Sequence, residues 1–257
     1  MNIVVKKTSE ISLSEKENIC SLFFEVFNIR KTYDDFIHQF EKNEFGYSYF
    51  GLLYDNNEII GSYAVIPLNY EFYNRNVVFG QSVDTMIKKE YRGNPFLFKK
   101  LAKLTYDKLK KDDVSFVFGF PNEDIYLVRK RVLGWGDIDS LSVYLTPINI
   151  GGFYPSLSFL NAFGVFLVNI LNFIAVKFDQ KEVNTHNVKK IKTEEYLQYR
   201  YFGNYACIKL DKKSFVTYTI KDIKGVRTAI IVDINPITSS SLAFSIRALK
   251  DFLNDID

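Results

Sequence analysis

Cysteine and histidine are nearly absent from this chain, with 2 of each in 257 residues. Cys20 and Cys207 stand far apart and in no CxxC pair, so neither a disulfide framework nor a cysteine zinc site is available. A reducing, cytoplasmic home is the expectation. His38 and His186 belong to no HExxH or GxSxG arrangement, which counts against metallohydrolases and serine hydrolases, and no metal is expected. An excess of one charge is also missing: 33 Lys+Arg face 30 Asp+Glu, a net +3, which excludes a histone-like polycation or an acidic tail. A secretory leader is not seen either. The apolar run Ile3-Val4-Val5 stops at Lys6-Lys7, short of the roughly 7–15 apolar residues such a leader needs, and reads as a first strand.

What the chain does contain is the composition of a folded protein, 47% apolar and 25% charged, with length for two modest domains. Ser14 and Glu17 have capping-box spacing ahead of Ile19, Leu22, Phe23, Val26 and Phe27, the i, i+3, i+4 pattern of an amphipathic helix. Thr32 is a candidate N-cap for a shorter helix carrying Phe36, Ile37 and Phe40. Two β-rich runs, Tyr49–Tyr54 and Glu58–Pro67, flank Asp55-Asn56-Asn57, which has the turn chemistry of a hairpin. A second strand pair around Asn74-Arg75 leads into Gly80–Lys88. A helical pattern follows over Phe96–Lys111, then a buried strand at Val114–Phe120, a helix from Glu123 to Leu133 stopped by Gly134, and a strand over Leu141–Leu145. Beyond it, Thr193–Asp257 reads as a helix over Glu194–Phe202, strands near Tyr205–Leu210, Phe215–Ile220 and Thr228–Ile234, and a closing amphipathic helix.

Between the two halves, Ser140–Val176 carries no charge, and Leu157–Val176 is apolar over a length that meets the criterion of about 18 residues for a membrane span. Asn161, Asn169, Asn172 and Ser158 share one stripe of that helix, however, which makes it weakly amphipathic. A helix packed between domains, or a peripheral membrane contact through 157–176, is favoured over a span.

Charge is unevenly spread. Lys88–Lys111 holds nine Lys/Arg and two acids, a local +7 that leaves −4 for the remainder, and it sits on a strand-loop-helix in which an anion can meet helix N-terminal amides. Lys103, Lys108, Lys110 and Lys111 also fit a solvated helix face. Across this region Asp84, Met86, Tyr91, Arg92 and Gly93, then Leu97-Phe98-Lys99-Lys100-Leu101-Ala102, Gly119-Phe120-Pro121-Asn122-Glu123 and Leu133-Gly134-Trp135, resemble in order and spacing the signatures of the GNAT acetyltransferases. The resemblance covers about residues 1–147 and is closest to bacterial members with a C-terminal extension.

The resemblance implies an α/β fold: a GNAT-like mixed, mostly antiparallel sheet with flanking helices over 1–147. An apolar linker helix (148–192) and a smaller C-terminal α+β domain, a partial GNAT-like unit (193–257), complete the expected organisation. It implies acetyl-CoA as co-substrate, with Met86, Ile87 and Lys88 along the pantetheine, Arg92, Gly93 and Asn94 at the pyrophosphate, and Phe98 and Asn122 lining the cofactor. Asp84 is the candidate to bind or deprotonate the acceptor, and Tyr126 to assist the leaving thiolate; a strand-end aspartate paired with a cation and a structural tyrosine are the alternatives. Two positions depart from the family pattern. Pro95 has no N–H to offer an anion, and Lys130 stands where the family commonly places an acidic tyrosine. The expected reaction is acetyl transfer to a primary amine, a small-molecule acceptor such as an amino sugar of surface-polysaccharide synthesis. A tandem GNAT-like aminoacyl transferase using charged tRNA and a non-catalytic binding protein are the alternatives. With no RNP-like motif among 17 tyrosines and 24 phenylalanines, no nucleic-acid partner is expected.

Overall fold

The computed structural model describes residues 1–140, 143, 151, 154–177, 187–209, 215–223, 225–235 and 238–254. The strand expected at 141–145 falls outside them. Two compact units emerge, Met1–Asp139 with His186–Arg200, and Ser140–Thr185 with Tyr201–Asp257.

In the first unit β1 (Asn2–Lys7), β2 (Tyr49–Asp55), β3 (Glu58–Phe72) and β4 (Arg75–Ile87) form an antiparallel succession, and β5 (Val114–Phe118) joins β4 in parallel. The mixed, mostly antiparallel sheet expected from the sequence is what forms. Both hairpins turn on two residues in the left-handed region, Asn56 and Asn57 (φ 45° and 69°) and Tyr73 and Asn74 (φ 47° and 62°). That is the backbone a two-residue connection needs to match strand twist. β3 outruns β2, and its far end takes a sixth strand, β6 (Val188–Lys190), which pairs Tyr70 with Lys190. No periodicity announces β6, because three residues, two of them lysines, show no alternation. A buried ion pair pins it: Lys190 Nζ to Glu44 Oε1 is 2.8 Å.

Successive side chains of a strand face opposite ways, and this alternation builds two cores. Phe50, Leu52, Ala64, Ile66 and Leu68 point to one face, where α1 (Leu13–Phe27) and α2 (Tyr33–Glu41) bring Ile19, Leu22, Phe36 and Phe40. Tyr49, Leu53, Tyr63 and Val65 point to the other, covered by Phe98, Leu101, Ala102 and Leu109 of α3 (Pro95–Lys111) and by α4 (Glu123–Val128), which continues as a π turn over Arg129–Leu133. Thr32 caps α2 as its sequence predicts. α1 starts one box earlier than the Ser14–Glu17 spacing suggests: Ser12 is the cap and Glu15 its partner.

The second unit contains a three-stranded antiparallel sheet, β7 (Ala206–Lys209), β8 (Phe215–Ile223) and β9 (Val226–Asn235). α5 (Asn161–Lys177) packs against α7 (Ser239–Asn254), where Val168, Ala243 and Leu249 are buried and Lys250 Nζ reaches Asn169 Oδ1 at 3.4 Å. Of the asparagine stripe read from the sequence, Asn169 thus meets a polar partner on α7, while Asn161 accepts from the Gly151 amide at 2.8 Å. α6 (Glu194–Arg200) belongs to the first unit: the Tyr199 hydroxyl donates to the Gln39 carbonyl at 2.8 Å.

Candidate active-site cleft

The ladder between β4 and β5 runs from Val78 opposite Val114 to Gln81 opposite Phe118 and ends there. β4 continues to Ile87, so from Ser82 onward the two strands part and, among the described residues, no strand pairs with its edge away from β3. The Lys88 amide bonds Ile60 on β3 at 2.9 Å. By alternation the amide and carbonyl of Ile87 face the open edge. There Arg92 Nε donates to the Ile87 carbonyl at 2.7 Å, and among the described residues neither terminal nitrogen of this exposed side chain has a partner. The Met86 side chain is buried in the core, and Lys88 is ion-paired to Glu25 (3.1 Å) and Glu58 (2.6 Å), which raise its pKa.

A bulge interrupts β4 at the parting. Ser62 faces Met86 and Ala64 faces Val83, so Asp84 and Thr85 together oppose Tyr63, and Asp84 takes φ 43°. The extra residue breaks the alternation, so Asp84 faces the same α1–α2 layer as Val83 and Thr85 faces the opposite one. Asp84 meets Lys31 in an ion pair and accepts from Gln39 Nε2 at 3.0 Å, on the α1–α2 side. Lys31 also donates to Gln39 Oε1 (2.6 Å) and lies over the ring of Phe23, 4.0 Å from its centroid. Thr85 Oγ1 accepts instead from Arg129 Nη2 (2.8 Å), on the α4 side.

After β4 comes a 3-10 turn over Lys89–Tyr91, then Arg92, Gly93 and Asn94. The Asn94 side chain caps α3, accepting from the amides of Phe96 (3.1 Å) and Leu97 (3.3 Å). Pro95 occupies the first helical position, where a missing N–H costs nothing. The amides of Gly93 and Asn94 have no backbone partner among the described residues. Phe98, placed by sequence among the cofactor residues, is 5% exposed and packs on Tyr63.

On the far side of the parting, Asn122 caps α4 by accepting from the Ile125 amide at 3.2 Å. The Tyr126 hydroxyl donates to Asp137 (3.0 Å) and accepts from Lys130 Nζ (3.2 Å), and Lys130 pairs with Asp137. Hydrogen bonds from Lys130 and Tyr126 hold the Asp137 carboxyl below its ordinary value. Arg129 is 4% exposed, its guanidinium over the rings of Trp135 (4.6 Å) and Tyr63 (5.7 Å). Among the described residues no group of three or more His, Cys, Asp or Glu is placed to hold a metal ion.

A family model described as an acetyltransferase (GNAT) domain matches residues 7–136. The chain belongs to the GNAT acetyltransferases. No curated protein matches it. Solved structures similar to it include an acetyltransferase from Trypanosoma brucei (13% identity, TM-score 0.42, 56% of this chain and 100% of that one). Others are a ribosomal-protein-alanine N-acetyltransferase from Brucella melitensis (14%, 0.42, 56% and 98%) and glucosamine-6-phosphate N-acetyltransferase from Arabidopsis thaliana (15%, 0.41, 56% and 99%). The assignment rests on the match over 7–136, which takes in β2 to β5 and the loop after β4.

Within this GNAT domain the sequence-predicted residues divide. Ile87, Arg92, Gly93 and Asn94 lie along the open edge and its loop, the backbones of Met86 and Lys88 face β3, and Asn122 begins the helix across from the edge. Asp84 faces α1–α2, whereas Tyr126 bonds Asp137 and Lys130 in an exposed cluster. Sequence reasoning missed Lys31, Gln39, Thr85, Arg129 and Asp137. For Arg129 a signal existed in helical spacing, since it falls four residues after Ile125 and three before Val132, both packed on the core.

Proposed function

We propose that this GNAT protein transfers an acetyl group from acetyl-CoA to a primary amine. The observation that carries the reading is the open edge of β4 after Gln81, leading directly into a loop whose Gly93 and Asn94 amides have no backbone partner among the described residues. Gly93 strengthens it: its φ lies outside the left-handed region, and a Cβ there would meet nothing within 4 Å. The space beside Gly93 is therefore open among the described residues, which lets a ligand approach the backbone closely. Acetyl-CoA supplies an acyl group activated as a thioester.

The chain's own residues then have distinct tasks. The Ile87 backbone offers an extended arm the hydrogen bonds of an added strand, and the amides of Gly93 and Asn94 with the terminal nitrogens of Arg92 receive a pyrophosphate. The local +7 around them draws a polyanion in. Asp84, which already binds one ammonium in Lys31, holds or deprotonates the acceptor amine; only the neutral amine has the lone pair that forms the C–N bond. To protonate the departing sulfur, Tyr126 must exchange its bond to Asp137 for one to sulfur. An amino sugar is the acceptor to test first, on family resemblance alone.

Calorimetric titration with acetyl-CoA, followed by CoA release with a panel of amines, tests the reading. Arg92→Ala is expected to weaken acetyl-CoA by about 1–3 kcal/mol, the worth of a charge-assisted hydrogen bond. Equal affinity in wild type and variant would remove the pyrophosphate assignment.

A further inference from the structure

Arg129 is a buried guanidinium with two nitrogens, Nε and Nη1, that have no hydrogen-bond partner, and among the described residues no carboxylate pairs with it. A buried charge without a counter-ion opposes folding, so its retention asks for a purpose. Its place is defined from three sides. Nη2 holds Thr85 on the bulge, and a Cβ on Gly119, the residue after β5, would stand 3.1 Å from Nη1 and 3.0 Å from the Ser82 carbonyl. The guanidinium therefore sits where β4 and β5 part, and Ser82 Oγ on β4 is likewise buried with no partner among the described residues. Arg129 shares the core-facing side of its helix with Ile125 and Val132, while Lys130 stays with Asp137 and Tyr126.

The open edge thus has amides without a backbone partner at its loop end and an unbalanced positive charge at the other, among the described residues. From Ser82 to Ile87 is six residues, roughly 20 Å of strand. An arm anchored by its phosphates at Gly93 and laid along this edge brings its reacting end toward Thr85 and Arg129. We propose that Arg129 lowers the pKa of the coenzyme A thiol in this cleft and so stabilises the thiolate that acetyl transfer releases. The proposal rests on the acetyl-CoA reading above. In the transfer the acceptor nitrogen's lone pair forms the C–N bond, the C–S electron pair passes to sulfur, and the amine proton goes to a base or to water. A guanidinium stays protonated at every working pH, so Arg129 contributes field and no proton. That field is weakly screened because the group is buried. Arg129 is in this sense a positioning residue for charge.

The other groups around Arg129 leave its charge uncompensated. Asp84 on β4 is paired with Lys31, and Asp137 after α4 with Lys130 and Tyr126. Tyr63 on β3 and Tyr106 on α3 bond each other (2.7 Å), and burial pushes the Tyr106 hydroxyl well above the ordinary phenol value, so it stays neutral.

Titrating protein-bound CoA by its thiolate ultraviolet absorbance, with desulfo-CoA as the blank, tests this. In wild type the bound thiol is expected to ionise at least one pH unit below free CoA, and CoA to gain about tenfold over desulfo-CoA across that step. Arg129→Gln should return the thiol to the free value and leave desulfo-CoA affinity unchanged. A wild-type thiol that titrates with free CoA overturns the proposal, as does an unchanged shift in the variant or an equal loss for both ligands. The first of these needs only wild-type protein and decides the matter should the variant not fold. If folded wild type binds neither CoA nor desulfo-CoA, the cofactor reading itself fails and the proposal falls with it.

Discussion

Asp84 sits at φ 43°, a conformation that aspartate and asparagine tolerate better than other side chains. Asp84→Asn therefore keeps the bulge while removing the charge that binds Lys31. If the carboxylate holds or deprotonates the acceptor, turnover is expected to fall by roughly 10²-fold or more with acetyl-CoA affinity near wild type. Tyr126→Phe should cost less, since the hydroxyl is engaged with Asp137. Full turnover by Asp84→Asn from pH 6 to 9 would assign the carboxylate to pairing Lys31 alone. At this scale the motif around Asp84 was legible in the sequence, but its partner was not. Lys31 lies 53 positions away, and only the closure of the sheet against α1 and α2 brings the two together.

Elements were easier to read than their ends. The helices covering the sheet follow from 3.6-residue apolar periodicity and both hairpins from turn chemistry, whereas Ser12 and Ser14 both stand three residues before a glutamate. Tertiary contacts decide between them, because Glu15 also accepts from Lys6 Nζ (2.7 Å) and the Tyr54 hydroxyl (2.5 Å), tying the start of α1 to β1 and β2. Burial pushes the Glu15 carboxyl up, but bonds from Lys6, Tyr54 and the Ser12 amide outweigh it and bring the pKa down to about 2 from 4.5. A folded value below the unfolded one adds stability that is complete above about pH 5 and is lost as pH falls through 2, an effect of about 3 kcal/mol at most. Glu15→Gln should accordingly destabilise the first unit by about 1–3 kcal/mol at pH 7, with the difference shrinking toward pH 2. Urea melts followed by fluorescence of Trp135, the single tryptophan and part of that unit, measure it. A gap independent of pH would mean that glutamine fails for reasons of shape.

For the molecule as a whole, composition and apolar runs indicated two parts, but the chain's return to the first sheet through β6 and α6 was hidden in a lysine-rich stretch without periodicity. The apolar segment between them was the least decidable by pattern, since a buried, an interfacial and a spanning helix share a composition. Geometry narrows the choice. α5 has 17 residues, about 25 Å of helix against a hydrocarbon core of about 30 Å, and among the described residues no helix is long and apolar enough to cross a membrane. One stripe of α5 packs on α7, while Phe163, Phe166 and Phe173 are each more than half exposed. That aromatic face is the surface through which the peripheral membrane contact expected from the sequence would be made. Protein that sediments with membranes is then expected to be released by carbonate, and Phe166→Asp to lower binding to anionic lipid vesicles while leaving the far-ultraviolet circular dichroism unchanged. Retention after carbonate together with protease protection of one unit would establish a span and overturn the interfacial assignment. Release without vesicle binding would leave the aromatic face to a protein surface.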